Sequence, residues 1–358
     1  MQVDRTLIAN PFFSICIPQY NRISFLIEAC RSLIDQTFKN FEVCISDDCS
    51  TDGREKELLE FLEKSNLSFV YHKQEQNKKY DGNLRSSIEL AKGKYCFLLG
   101  NDDCLAESRT LEDIHSDLQK YGKVGVVITN YEDFASSKRF RRIQKTGVLG
   151  KGPKTAAYHF RDFSFVSGVL LETPKAYEHA TSKWDGSEMY QVYIGCRTIA
   201  EGASLLGIDR VAIRQGIRIS REQVDSIALR PKLSPCPIVE RPLPLNQLGR
   251  LVVDAIDPYV ASTEKEKIIG LIFFQLLFFT YAFWIFEYRR IQSWKYAVGI
   301  CWGMRPRNIL QGLNLSFLGR FWISTLYGFV SLAGLIIPRK AFDALRSSLY
   351  SLAKTYYD

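Results

Sequence analysis

Two adjacent carboxylates, Asp102 and Asp103, follow the apolar run at residues 95–99 after a short turn of Gly100 and Asn101. An apolar run that ends in a turn is typical of a buried strand in a parallel sheet. Ligands of open α/β sheets bind at the carboxyl ends of the strands, where a divalent cation would relieve the repulsion between the two carboxylates. The pattern predicts a Mg²⁺ or Mn²⁺ site, and the alternative is a plain Asn-Asp turn.

Polar loops also follow two earlier apolar runs. Residues 12–18 lead into the loop 19–22, and residues 41–46 lead into the turn 47–53. These loops contain a tyrosine, which offers a flat face for stacking, and an arginine, which matches the geometry of phosphate. If the strands are parallel, their loops meet at the edge that carries Asp102.

Strands alternate with helices along the first third of the chain. The apolar runs predict strands at residues 12–18, 41–46, 67–72, 95–99 and 124–129. Apolar residues at helical spacing predict helices at residues 23–36, 55–64, 82–92 and 109–121. This alternation indicates an α/β domain with a mostly parallel sheet and flanking helices. Farther on we expect a basic loop at 131–152, a strand at 163–171 and a helix at 188–201.

The order of these motifs resembles that of family 2 glycosyltransferases with the GT-A fold. The matching segments are Pro18-x-Tyr20-Asn21, Asp47-Asp48-x-Ser50-x-Asp52-Gly53 and Asn101-Asp102-Asp103. The resemblance covers roughly residues 12–131 and becomes weaker up to about residue 219. The form Gly100-Asn101-Asp102-Asp103 is similar to that of abequosyltransferases and rhamnosyltransferases that build bacterial surface polysaccharides.

The resemblance implies a set of residues that bind the nucleotide-sugar donor. Asp47 would accept a hydrogen bond from the base, although capping of the following turn is its alternative role. Arg22 would approach the diphosphate, and Asn83 and Arg85 would lie near the sugar or phosphates or, alternatively, on a solvated helix face. The wall against the base would be formed by Pro18, Tyr20 and Asn21.

The resemblance also implies the metal ligands. Asp102 would bind Mn²⁺ or Mg²⁺ directly, and Asp103 would be a second ligand or a partner of the ligand. The chain departs from the family pattern at Gly100, where many members have an aspartate. This departure removes one possible contact to the metal or the donor ribose.

An inverting transfer needs a general base for the acceptor hydroxyl, and the resemblance points to Glu188, with Asp185 as the fallback. The alternative for Glu188 is an acidic residue in the first turn of a helix. Ser167 and Gly168 would lie under the acceptor, where small side chains permit close approach.

The composition divides the chain into three parts. We predict a catalytic domain at residues 1–230, with a nucleotide-sugar half at 10–130 and an acceptor half at 131–230. A proline-rich linker would follow at 231–246. The last part, 247–358, would be a helical region that associates with a membrane, so a chain ending near residue 244 is predicted to remain soluble and to bind nucleotide.

Two uncharged apolar segments in this last part, residues 268–286 and 321–337, are near the length of about 20 residues that a membrane span requires. The connection between them is basic and contains two of the tryptophans concentrated in this region. We therefore expect both helices to lie in the cytoplasmic leaflet without crossing it. A buried helical subdomain or an oligomer interface is the alternative.

The net charge of +8 suits an anionic substrate or membrane surface and does not by itself indicate nucleic acid. The nine cysteines form no CxxC pair, which argues against zinc and favours a reducing compartment. The N-terminus lacks the pattern of a signal peptide, so we expect the cytoplasmic face of the inner membrane.

The predicted function is an inverting glycosyltransferase that transfers a sugar from a nucleotide donor to a polyprenyl-diphosphate-linked saccharide. Oligomers are possible. The alternatives are a nucleotidyltransferase that makes the sugar nucleotide and a catalytically inactive membrane scaffold.

Overall fold

A computed structural model describes residues 1–6, 8–219, 244–291, 294–338, 340–342 and 344. Its centre is an eleven-stranded mixed sheet with the order β1-β4-β3-β2-β5-β10-β7-β11-β6, in which β8 pairs with β7 and β9 with β11. The strands are β1 (Gln2–Arg5), β2 (Phe13–Gln19), β3 (Phe41–Asp47), β4 (Phe69–Lys73), β5 (Tyr95–Leu98), β6 (Cys104–Leu105), β7 (Val126–Asp133), β8 (Arg139–Phe140), β9 (Gly147–Gly150), β10 (Val169–Glu172) and β11 (Leu205–Gln215).

Four neighbouring strands, β4, β3, β2 and β5, are parallel. Their apolar residues are buried because helices cover both faces, which explains why the sequence shows continuous apolar runs there. All four strands end at the same edge of the sheet. The loops that follow β2, β3 and β5 therefore meet there, as the sequence predicted.

The rest of the sheet differs from the mostly parallel arrangement that we predicted. Strand β10 is antiparallel to both β5 and β7, and only β7 and β11 form a further parallel pair. Of the predicted strand at 163–171, residues 169–171 lie in β10, whereas Phe163 is the last residue of a short 3-10 helix, Phe160–Phe163. Phe163 is apolar because it packs against Gly195, where a Cβ atom would lie 2.5 Å from the ring.

Seven helices of the first 219 residues flank this sheet. They are α1 (Ile23–Ile34), α2 (Glu55–Lys64), α3 (Lys79–Glu89), α4 (Thr110–Tyr121), α5 (Gly152–His159), α6 (Thr173–Glu178) and α7 (Tyr190–Glu201). Helix α7 begins two residues later than predicted, because Glu188 has a left-handed backbone with φ of 59°. The predicted basic loop at 131–152 contains β8 and β9, which pair with the edges of longer strands.

The C-terminal region is helical, as predicted. Its helices are α8 (Pro244–Ile256), α9 (Lys265–Gln275), α10 (Ala282–Ile291), α11 (Trp294–Gly303), α12 (Pro306–Ile309) and α13 (Phe317–Ile336), and a π-helical segment, Leu276–Tyr281, joins α9 to α10. Residues 231–243 of the predicted linker lie outside the described residues, and residues 244–246 are the first turn of α8.

Helices α8 and α9 share a hydrophobic core with the sheet domain. Leu251 and Phe273 are buried in the same cluster as Ile194 of α7. Gln275 also donates a hydrogen bond to the carbonyl of Ala157 at 3.1 Å. The C-terminal helices are thus packed on the catalytic part.

Two helices are long and apolar enough to cross a membrane by length and composition alone. The first, Lys265–Arg289, has a mean hydropathy of 2.1 and is 44% buried in its most apolar window, so much of it packs inside the protein. The second is α13, with a mean hydropathy of 1.2 and a window only 22% buried. Its exposed apolar residues include Phe317, Phe321, Trp322 and Phe329.

Candidate functional site

Gln19, the last residue of β2, connects the loops at the polar edge of the sheet. Its backbone carbonyl accepts hydrogen bonds from the amide of Asp48 at 2.8 Å and from Nδ2 of Asn83 at 3.0 Å. Its side chain accepts a bond from Nδ2 of Asn101 at 2.8 Å and donates one to the carbonyl of Asn21. We did not predict a role for Gln19 from the sequence, although its position between Pro18 and Tyr20, as a polar residue at the end of a strand, indicated one.

The loop after β2 has an unusual backbone. Asn21 and Arg22 are both left-handed, with φ of 49° and 62°. The amide of Asn21 donates to Oγ of Ser50, and its Oδ1 accepts a bond from the amide of Thr51, each at 2.8 Å. Such strained residues often occur at functional sites. Tyr20 is 47% exposed, so its ring is available for stacking.

Asp47 is buried, and its carboxylate bonds within the protein. Its Oδ1 accepts a bond from the amide of Ser50 at 2.7 Å, and its Oδ2 accepts one from the hydroxyl of Tyr71 at 2.9 Å. Burial and this neighbouring charge raise the pKa of Tyr71 well above its usual value. The contacts are those of the turn cap that we named as the alternative, and the hydrogen bond from Asp47 to a nucleotide base stays a prediction.

Asp102 remains partly accessible at the strand edge. Its Oδ2 lies 2.8 Å from Nη1 of Arg22, and its side chain is 23% exposed. The predicted carboxylate and the predicted diphosphate-binding cation therefore lie side by side. A cation or a phosphate that binds here would meet both charges.

Asp103, unlike Asp102, is buried, and its carboxylate bonds within the protein. It is 3% exposed, its Oδ2 accepts a bond from Oγ of Ser167 at 2.5 Å, and its Oδ1 accepts one from the amide of Gly216 at 2.9 Å. Burial, and then the charge of Asp102, raise the pKa of Asp103 to about 7. Its role as a second metal ligand is not supported, because both oxygens are used within the protein. It is instead an internal partner beside Asp102.

The two residues predicted to lie under the acceptor have internal contacts. Ser167 is fully buried and accepts a bond from the amide of Gly100 at 2.8 Å. Gly168 has φ of 79°, and a Cβ atom there would lie 2.3 Å from Oγ1 of Thr129. Packing on β7 explains why residue 168 is small, and the position of Ser167 and Gly168 under the acceptor stays a prediction.

A buried arginine, absent from our predicted site, holds this segment in place. The guanidinium of Arg142 donates to the carbonyls of Thr129, Phe165 and Ser167 at 2.8 to 2.9 Å. Burial lowers its pKa to about 10. In the sequence, Arg142 was indistinguishable from the neighbouring basic residues of the predicted loop.

Arg85 and Asp185 form a pair. The guanidinium donates two hydrogen bonds to the carboxylate at 2.7 and 2.8 Å, which raises the pKa of Arg85 further. Arg85 is therefore directed towards the acceptor half and away from its predicted position near the phosphates. Asp185 is a poor candidate for a base, because a bidentate arginine stabilises its charged form. Asn83 is buried with its amide on Gln19, so it lies on no solvated face.

Glu188 is exposed and lies just before α7. The hydroxyl of Tyr80 on α3 contacts Oε1 of Gln191, the second residue of α7, at 3.2 Å. Burial raises the pKa of Tyr80 well above its usual value, and the charge of Asp81, followed by those of Glu188 and Asp103, raises it further.

The residues at this edge can hold a divalent cation through one direct carboxylate. Mg²⁺ and Mn²⁺ are commonly bound by one or two carboxylates plus water and substrate phosphate, so Asp102 alone is compatible with this chemistry. Within the described residues, one cluster also brings three possible ligand atoms together, those of Glu178, His179 and Glu201. Nζ of Lys175 lies 2.8 Å from the carboxylates of Glu178 and Glu201, so the positive charge beside this cluster is the ammonium group of the lysine.

Comparison with known families identifies the class of protein. Residues 14–171 match the model described as glycosyl transferase family 2. This match confirms, over that segment, the resemblance to family 2 glycosyltransferases seen in the sequence.

Two of the similar proteins are named as bacterial glycosyltransferases. Abequosyltransferase RfbV of Salmonella typhimurium is 40% identical over 96 residues, which are 26% of this chain and 29% of that protein. The putative teichuronic acid biosynthesis glycosyltransferase TuaG of Bacillus subtilis is 32% identical over 26% of this chain and 37% of its own length. The matches thus span well under half of these relatives.

Solved structures support the fold over a longer range. S. aureus TarS 1–349 in complex with UDP has a TM-score of 0.60 and 15% identity, and the match covers 90% of both chains. The mannosyltransferase PcManGT of Pyrobaculum calidifontis, in complex with GDP-Man and Mn²⁺, has a TM-score of 0.53 and 14% identity over 99% of this chain and 90% of its own. The predicted α/β class with the GT-A fold is confirmed.

Proposed function

We propose that this protein is an inverting glycosyltransferase of bacterial surface polysaccharide synthesis. It transfers a sugar from a nucleotide-sugar donor to a hydroxyl of a polyprenyl-diphosphate-linked saccharide. The observation that carries the proposal is the pair of Asp102 and Arg22, 2.8 Å apart at the sheet edge where the loops after β2, β3 and β5 meet.

The donor would bind across the loops after β2, β3 and β5. The exposed ring of Tyr20 stacks on the nucleotide base, and Asp47 shapes the turn beneath it. Pro18 and Asn21 fix the loop that presents Tyr20, and Arg22 moves from Asp102 to the diphosphate. When bound, Mn²⁺ or Mg²⁺ would be held by Asp102 and would neutralise charge on the leaving nucleoside diphosphate.

Glu188 acts as the general base on the acceptor side. It accepts the proton of the acceptor hydroxyl while the hydroxyl oxygen forms a bond to the anomeric carbon. The bond from that carbon to the diphosphate oxygen breaks at the same time, so the configuration inverts and the nucleoside diphosphate leaves. The exposure of Glu188 supports this role, because an acceptor can reach its carboxylate.

The C-terminal helices would bring the enzyme to its lipid-linked acceptor. Helix α13 exposes Phe321, Trp322 and Phe329 on the surface, and buried apolar area is what binds an in-plane helix to a bilayer. Basic residues such as Arg305 and Arg320 would add attraction to anionic lipid. We place the enzyme at the cytoplasmic face of the inner membrane as a peripheral or monotopic protein.

The test is release of nucleoside diphosphate from a panel of UDP-, GDP-, CDP- and dTDP-sugars with Mn²⁺ and a farnesyl-diphosphate-linked N-acetylglucosamine acceptor. We expect one donor to give turnover that depends on the acceptor and yields a product of inverted configuration. Glu188→Gln should bind that donor and retain only a small residual rate of sugar transfer, which long incubation can measure. A product of retained configuration, or release of nucleoside monophosphate in place of nucleoside diphosphate, would contradict the proposal.

A further inference from the structure

The carboxylate of Asp81, on α3, accepts three backbone hydrogen bonds from the loop that carries Glu188. Its Oδ2 accepts bonds from the amides of Gly186 at 2.8 Å and Glu188 at 2.9 Å, and its Oδ1 accepts one from the amide of Tyr190 at 3.0 Å. Asp81 is only 2% exposed. One buried side chain thus binds alternate amides along five residues of the loop.

Two neighbours on the same helix hold the same loop. Arg85 forms its bidentate pair with Asp185, and the hydroxyl of Tyr80 contacts Gln191. Asn83, which lies between them in the helix, reaches in a different direction and donates to the carbonyl of Gln19. Helix α3 therefore connects the loops of the donor edge directly to the loop of the predicted base.

The backbone conformation of Glu188 explains why these hydrogen bonds from α3 are needed. Glu188 has φ of 59°, a left-handed backbone conformation that is unfavourable for a residue with a side chain. A short loop with this residue needs hydrogen bonds that select the strained conformation. An ionised carboxylate provides them because it is acceptor-only, whereas an asparagine would direct an NH₂ group at one of the amides.

We infer that Asp81 is a positioning residue for sugar transfer, which fixes residues 186–190 in the conformation that directs Glu188 at the acceptor hydroxyl. This inference rests on the proposed role of Glu188 as the base. Asp81 itself touches no substrate, so its effect should appear in the chemical step and not in donor binding.

The first experiment needs no substrate. Hydrogen exchange is measured at the amides of Gly186 and Glu188 in the full chain. In the unaltered protein we expect both to exchange about 100-fold more slowly than unprotected amides, although both residues are exposed. In Asp81→Asn the protection should be lost. Fast exchange at Glu188 in the unaltered protein would overturn the inference.

The second experiment compares kinetics of Asp81→Asn with those of Glu89→Gln, which removes an exposed carboxylate from the same helix. Donor and acceptor are those that give turnover in the panel described above. We expect kcat of Asp81→Asn to fall about 100-fold with KM for the donor nearly unchanged, and Glu89→Gln to match the unaltered enzyme. In a Glu188→Gln background, Asp81→Asn should have almost no further effect, because both changes remove the same function.

The outcomes separate the two ideas. If Glu188→Gln loses nearly all of its activity but Asp81→Asn has normal kcat, Asp81 does not position Glu188, and the assignment of Glu188 as the base is unaffected. If Glu188→Gln transfers sugar normally, the base assignment fails, and with it the positioning role. A loss in Asp81→Asn that is equally large in the Glu188→Gln background would also overturn the inference, since Asp81 would then act independently of the base.

Discussion

Asp102 and Asp103 are neighbours in the chain, but folding gives their carboxylates opposite surroundings. Asp102 keeps contact with solvent beside Arg22, whereas Asp103 is buried between Ser167 and Gly216. The resemblance assigned direct metal binding to Asp102, but the sequence could not decide whether Asp103 is a second ligand or a partner of the ligand. The distinction depends on Ser167, 64 residues away, and on Gly216, 113 residues away.

We expect Asp102→Asn to lower the rate of sugar transfer by about two orders of magnitude or more, because it removes the one direct carboxylate for the cation. The unaltered protein should be stabilised against heat by donor plus Mn²⁺, and the variant should lose that shift while its melting temperature without ligand stays similar. Glu107→Gln, an exposed change nearby, is the control. Normal transfer by Asp102→Asn in saturating Mn²⁺ would rule out the metal assignment.

Other residue roles also depended on distant partners. The spacing of motifs predicted that Pro18, Asn21, Asp47 and Asp102 share an edge, since parallel strands bring their carboxyl ends together. It could not predict that Arg85 pairs with a residue 100 positions later, because either end of that pair has many possible partners in sequence.

At the scale of elements, helices with strong apolar periodicity were predicted well. The predicted bounds of α2, residues 55–64, are those observed, and α4 differs by one residue. Prediction failed where tertiary packing decides, as in the 3-10 turn Phe160–Phe163 and in the short strands β8 and β9. These segments take their form from neighbours that local sequence does not specify.

Helices α6 and α7 are joined by a charged cluster with a testable pH dependence. Lys175 first, and then His179, lower the pKa of Glu201 from its usual 4.5. A lowered carboxyl pKa stabilises the fold above pH 4.5, and this contribution disappears as the pH falls through the folded-state value.

We expect Glu201→Gln to lower the free energy of unfolding by about 1 kcal/mol at pH 7, as measured by urea denaturation. The difference from the unaltered protein should shrink on acidification to pH 3. Glu60→Gln, which removes an exposed pair with Lys56, is the matched control and should have almost no effect. A difference that persists unchanged at pH 3 would show that charge is not the cause.

Helix α13 provides a second test at this scale. Replacing both Phe321 and Phe329 with serine should weaken binding to vesicles of phosphatidylglycerol and phosphatidylethanolamine at least tenfold, because two large exposed apolar side chains are lost. Thr325→Ala changes an exposed polar position of the same helix and is the control. Sedimentation with vesicles measures the effect, and equal binding by all three proteins would exclude this face as the membrane contact.

For the whole molecule, the sequence suggested an independent catalytic domain followed by an appendage. The structure instead shows a shared core, in which α8 and α9 pack on α5 and α7. Asp254 of α8 also accepts hydrogen bonds from Lys183 at 2.6 Å and from Trp184 at 2.8 Å, at the beginning of the base loop. Composition reveals a change of character along the chain, but it does not reveal which surfaces are buried together.

We therefore expect a chain that ends at residue 243 to lose cooperative unfolding and to bind a hydrophobic dye, in contrast to our prediction from sequence. Removing Leu251 and Phe273 exposes the core around Ile194. A chain that ends at residue 344 retains the described contacts and is the control. Thermal denaturation and dye fluorescence measure the result, and a sharp transition in the shorter chain would show that the domain is independent after all.

The way α3 holds both halves has a consequence for engineering chimaeras. A designer who exchanges acceptor specificity would naturally cut the gene near residue 131, where the donor half was predicted to end. In such a hybrid, Tyr80, Asp81 and Arg85 would lose the native partners at residues 181–191 with which they form hydrogen bonds. A crossover before residue 79 keeps the helix with the acceptor loop but separates Asn83 from Gln19, so a working hybrid has to preserve the partners of α3 on both sides.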